Sequence, residues 1–87
     1  MANEKTEIQG VLLTKAQLRV LETADYSTTH SGRGGWSENT MRAMEKLGLV
    51  SFLRASTWEK YWRFTDLGDS VRNEARRLLK ARYASRP

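Results

Sequence analysis

The side chains best equipped for recognition chemistry lie between Arg33 and Arg63. Asn39 carries the planar amide that matches an adenine edge, and Arg42 the guanidinium that matches a guanine edge, both bidentately. Lys46, one turn beyond Arg42 if the segment is helical, carries a charge suited to a phosphate. Arg54, Lys60 and Arg63 are interleaved with Trp58, Tyr61 and Trp62, and rings set among cations can stack on bases or sugars. The run "SGRGG" adds Arg33 where glycines let the backbone approach an anion closely. Each feature also has a plainer reading. Any amphipathic helix carries polar residues on its outer face, a small core needs large aromatics such as Phe52, Trp62 and Phe64, and a glycine run serves as a connector. Glu38 and Glu45, within the same candidate helix, are repelled by phosphate.

Catalytic chemistry finds less to work with. His30 is the one histidine and the chain has no cysteine, so neither a thiol nucleophile nor a Cys/His zinc site can be assembled. The glycines are not followed by the Lys-Ser/Thr pair of a phosphate-binding loop. Asp66 and Asp69 lie at a helix start, where the dipole accounts for them. The expectation is a protein that is not an enzyme and needs no cofactor or metal.

Three helices and a hairpin must position these residues. Thr14 reads as an N-cap with Gln17 completing a capping box, and "KAQLRVLETA" follows as a helix with Leu18 and Leu21 on one face, ending near Ala24. Asp25 to Gly35, "DYSTTHSGRGG", reads as a loop. Ser37 caps the next helix, which places Thr40, Met41, Met44 and Leu47 on one side and Asn39, Arg42, Ala43 and Lys46 on the other. Gly48 stops it in the left-handed conformation. From Val50 the period changes to two, and "VSFLR" and "KYWRF" flank the turn "ASTWE" as a hairpin. Thr65 caps a last helix with Leu67, Val71, Ala75 and Leu78 on its apolar stripe.

Composition sets the frame. At 87 residues with 39% hydrophobic and 29% charged residues, the chain reads as one folded domain with room for a modest core. Residues 1–10 read as a flexible segment, with an edge strand around Ile8 to Leu13 as its only structure, and residues 11–87 as the domain. No apolar run suggests a signal peptide or a membrane span, so a cytoplasmic protein with no membrane partner is expected. The net charge of +5 favours an acidic partner, and the stretch from Asp69 to Pro87 holds six basic residues against two acidic ones.

In this order, three stretches carry a likeness to a known family. "LTKAQLRVLETA", "SENTMRAMEKLGLV" and "WRFTDLGDSVRNEARRL" resemble the first helix, the recognition helix with its step into the wing, and the second wing strand running into the last helix of winged helix-turn-helix proteins. The likeness is to small regulators of the multiple-antibiotic-resistance and phenolic-acid-repressor type, and it spans roughly Leu13 to Leu79. It implies a mainly α fold with a small β-hairpin, three helices plus a wing, the family's second helix being short or absent within "DYSTTHSGRGG". It implies sequence-specific binding of double-stranded DNA by a transcriptional regulator, with helix 37–47 in the major groove and hairpin 50–65 as wing. The implied contacts are Ser37, Asn39, Thr40, Arg42 and Lys46 from the helix, Arg33 from the loop, and Arg54, Trp58, Lys60 and Arg63 from the wing. The resemblance also suggests a homodimer through the C-terminal helix. A different class stays open: a protein–protein interaction module such as a phage-encoded inhibitor or assembly adaptor, whose partner is a protein rather than DNA.

Overall fold

The computed structural model describes residues 5–24 and 26–84. Residues 1–4 of the expected flexible segment, and Asp25 at the start of the expected loop, lie outside that range. In chain order the elements are β1 (Thr6–Ile8), β2 (Val11–Leu13), α1 (Lys15–Thr23), β3 (Thr28–Gly32), α2 (Glu38–Lys46), β4 (Val50–Ala55), β5 (Glu59–Phe64) and α3 (Asp66–Ala84). β1 and β2 make a two-stranded antiparallel hairpin, and the second sheet, also antiparallel, has the order β3-β5-β4. Among the described residues, three helices and five strands, 46% helix and 31% strand, make an α+β fold. The expectation of a mainly α fold with a small β-hairpin is therefore corrected.

Two segments account for the difference. The first is "TTHSG", expected in a loop and at the place of the family's second helix. It forms β3 and pairs with β5 from Thr28↔Arg63 to Gly32↔Glu59. Its inward position is filled by a serine, so no apolar alternation betrays it. Ser31 is nonetheless buried, and its Oγ accepts the indole N–H of the fully buried Trp62 at 2.9 Å. A buried tryptophan needs such an acceptor, and this bond fixes the strand against the core. The second segment is residues 6–13. Gln9 and Gly10 both have positive φ, 53° and 81°, as a type I′ two-residue turn requires, and the hairpin they close carries Ile8 into the core. Residues 6–8 thus pair with residues 11–13, and Ile8 packs in the core.

The helix signals are met more directly. Gln17 N–H donates to Thr14 Oγ1 at 3.2 Å while Thr14 N–H donates to Gln17 Oε1 at 2.9 Å, completing the capping box at the start of α1. Ser37 occupies the N-cap of α2 but its side chain makes no capping bond. At the other end, Gly48 N–H donates to Glu45 O and Leu49 N–H to Met44 O, both at 3.0 Å, the paired closure of a Schellman motif. α3 starts on Thr65, whose Oγ1 accepts from Gly68 N–H at 3.0 Å. Gly68 is required for a second reason: a Cβ there would lie 1.9 Å from the carbonyl oxygen of Leu49, so the helix start abuts bare backbone.

The core gathers Leu13, Val20, Leu21, Met41, Met44, Leu49, Trp62 and Val71, all fully buried, between the helices and one face of the larger sheet. Several residues expected inside are not. Leu47, Leu67 and Leu78 sit at the ends of their stripes and are about 40% exposed, and Phe52 on edge strand β4 is 44% exposed, its ring edge-on to Trp62 at 5.5 Å. Arg72 ties α3 to the end of α1: its guanidinium donates to the carbonyls of Ala24 and Tyr26, pairs with Asp69 at 3.1 Å, and lies 5.1 Å over the ring of Phe64. Among the described residues no helix is long and apolar enough to cross a membrane.

Candidate nucleic-acid interface

α2 packs on the face of the larger sheet that carries Ser31, Lys60, Trp62 and Phe64. Met41 and Met44 point into the core, which leaves Ser37, Asn39, Arg42 and Lys46 exposed on the outer side. Thr40 is half-buried on the inner shoulder and contributes less surface than the others.

The charges on this face are not independent. Glu38 Oε2 accepts from Lys60 Nζ at 2.6 Å and from Arg42 Nε at 3.4 Å, and Arg42 Nη1 reaches Glu45 Oε1 at 3.4 Å. The hydrogen bond from Lys60, with Arg42 beside it, holds the Glu38 carboxyl below the usual carboxylate range. The Arg42 guanidinium carbon also lies 5.2 Å over the Trp62 ring, so the head group is held against the edge of the core as well as between the two carboxylates. The guanidinium is pre-positioned and at the same time partly neutralised. Asn39 and Lys46 make no ion pair or side-chain hydrogen bond among the described residues.

Beside the start of α2 stands the tip of the sheet. Arg33 N–H donates to Trp58 O at 3.2 Å, which brings the β3–α2 turn against the β4–β5 turn. Trp58 is 67% exposed there. A cleft of about 250 Å³ separates this tip from α2, lined by Ser31, Gly32, Glu38, Ser56, Trp58 and Lys60. Arg33, Trp58, Lys60 and the N-terminal half of α2 are therefore contiguous.

Arg54 and Arg63 are elsewhere. In a strand, residues three apart point to opposite faces, so Lys60 and Arg63 cannot share one. Arg63 pairs across with Thr28 and Ser51 on the face turned away from α2. Arg54 reaches that same face through a bulge: the register shifts between Phe52 and Arg54, Leu53 is the extra residue, and Arg54 comes opposite Tyr61, 4.4 Å over its ring. The ten residues expected to form one contact surface thus divide into eight around α2 and the tip and two behind the sheet. His30 and Tyr61, which the expected contact set omits, lie with Arg54 and Arg63. Strict alternation in "EKYWRF" was the available signal for Tyr61 and Arg63; nothing in the sequence announces the bulge that turns Arg54.

The C-terminal helix offers a separate surface. Val71 and Ala75 are used by the core, whereas Leu78 is partly exposed and lines an apolar groove of about 440 Å³ with Ile8, Leu18, Ala75 and Leu79. Its basic side chains are engaged in part: Arg77 pairs with Glu74 and Arg82 with Glu22. Among the described residues no three metal-ligating side chains gather. Compared with protein-family models, curated proteins and solved structures, the chain matches none.

Proposed function

We propose that the protein binds double-stranded DNA through α2 and the adjoining sheet tip, in the manner implied by the likeness to small winged-helix regulators. The observation that supports the reading is that Asn39 and Arg42 are exposed on α2 just beyond Glu38, which lines the cleft shared with Trp58 and Lys60 at the tip, where Arg33 is joined to Trp58. A helix inserted in the major groove meets base edges mainly through its N-terminal residues, while flanking loops hold the backbone. Asn39 and Arg42 would face bases, and Lys46, Ser37 and Arg33 phosphates, with Trp58 against a sugar. Lys60 reaches the same surface once Glu38 lets go of it. The net charge of +5 gives the encounter its long-range attraction, and a cytoplasmic regulator is the corresponding cellular role. Arg42→Ala is expected to weaken binding to a preferred duplex by about 1–3 kcal/mol and to relax discrimination at one base pair. Equal weakening on every sequence would remove the base-reading role of Arg42.

One observation favours a second reading, docking of a protein partner. Glu38 and Glu45 occupy the middle of the surface and are bound to two of its cations. A protein interface accommodates such mixed charge, whereas a phosphate backbone repels the carboxylates. Absence of duplex binding at low salt would shift the assignment to that reading.

A further inference from the structure

The sheet face turned away from α2 carries a row of planar side chains that the duplex-binding reading leaves unused. His30 on β3, Tyr61 on β5 and Arg54 on β4 are paired neighbours across all three strands. The imidazole and phenol rings are 6.1 Å apart, tilted by 36°, and the Arg54 guanidinium lies 4.4 Å over the phenol. α2 and the core lie on the opposite face, against Trp62 and Phe64, so this row is left open: Arg54 and Arg63 are exposed, and His30 and Tyr61 half-exposed. Arg63, in the next row, has no ion pair among the described residues. Among the described residues of these three strands the one acid on the face is Glu59, which sits 3.5 Å from His30 and pairs with neither arginine. The face is therefore ringed and, among the described residues of these strands, net positive.

We propose that this face binds single-stranded nucleic acid, unpaired bases stacking on the His30–Tyr61–Arg54 row and the phosphates running past Arg54 and Arg63. Three strands at ~4.8 Å spacing span about 10 Å, room for two or three nucleotides. Rings and guanidinium planes on an open sheet attract bases whose own faces are free, as those of a duplex are not. The cations complement the backbone charge, which an apolar protein segment would not supply. This surface lies behind the one assigned to the duplex, so the two readings stand or fall separately.

The test is fluorescence anisotropy with labelled oligothymidine and oligouridine of about 15 nucleotides, long enough for one such site, titrated at low salt. Binding of either is expected, the tighter one identifying the preferred sugar. Tyr61→Leu keeps an apolar side chain but removes the stacking surface, and should weaken binding roughly five- to hundredfold. Arg63→Glu, at an exposed and unpaired position that folding tolerates, should weaken it as well. Arg42→Ala combined with Lys46→Ala should leave it unchanged while reducing binding of a duplex. The proposal is overturned if neither oligonucleotide binds, if a folded Tyr61→Leu or Arg63→Glu variant binds like wild type, or if the α2 variant loses single-strand binding to the same degree.

Discussion

Replacing Glu38 by glutamine should make the protein a better DNA binder. The carboxylate is shared by Lys60 at 2.6 Å and Arg42 at 3.4 Å, and all three side chains are between one third and one half exposed. In this state a phosphate must displace Glu38 from two cations and also endure its charge. The glutamine keeps the shape and can still accept a hydrogen bond, but it frees the Lys60 charge and removes the repulsion, while Arg42 stays paired with Glu45. Each phosphate neutralised contributes about 0.9 to the slope of log affinity against log salt, so the released Lys60 steepens it by up to ~0.9. Between ~0.2 M and ~0.05 M salt, that one contact is worth about a 3.5-fold gain over wild type. Anisotropy with a labelled random duplex at several salt concentrations measures both quantities. Glu74→Gln, which frees Arg77 on α3, is the control and should leave slope and affinity unchanged. Equal slopes for Glu38→Gln and wild type, or a larger gain from Glu74→Gln, would refute the placement of DNA on α2.

Other consequences follow from the same contacts. Because Lys60 chiefly holds the Glu38 carboxyl below its ordinary value, its midpoint by NMR should lie below that of an unperturbed glutamate, and Lys60→Met should raise it. The contribution of this group to stability is then present above the ordinary value and lost as pH falls through the lower folded one, so an unshifted midpoint would show that the tie does not form. Arg72→Met removes charged hydrogen bonds to Ala24 and Tyr26 and the contact over Phe64, from a side chain only 13% exposed. A loss of about 1.5–3 kcal/mol is expected, or roughly 6–24 °C in Tm, and thermal unfolding that differs by less than ~0.5 kcal/mol would contradict it. Gly68→Ala sets two effects against each other: helix propensity favours alanine by up to ~1 kcal/mol, while the clash with the Leu49 carbonyl should cost about 1–3 kcal/mol or more. Net stabilisation in urea unfolding would show that the helix start is not held as tightly as the contact implies.

The parts of the fold legible in the sequence are those with local signatures. Thr14 and Gln17, Gly48 and Leu49, and Thr65 with Gly68 each act within a few residues, so caps and stops were placed where they occur. The hairpin of β4 and β5 was legible because Val50, Trp62 and Phe64 alternate with polar residues around a short turn. β3 was not, since its inward residue is Ser31 and its partner strand is about 30 residues away in sequence. Its reason for being a strand is the Trp62 indole, which no local pattern records. The β1–β2 turn was hidden because Gln9, a residue seldom found at positive φ, stands where asparagine would have announced a type I′ turn. At the candidate site, the periodicity of α2 identified Asn39, Arg42 and Lys46 as outward. It could not show that Lys60, 22 residues downstream of Glu38, would return to share that carboxylate, nor that a bulge would carry Arg54 to the other side of the sheet.

The most direct test of DNA binding through α2 and the sheet tip is a backbone NMR titration of the protein with a random duplex at ~0.05 M and ~0.2 M salt. The predicted result is a set of shifts over residues 37–46, 32–34 and 56–58, with binding that weakens steeply as salt rises. Shifts confined to α3, or none at the lower salt, would contradict it.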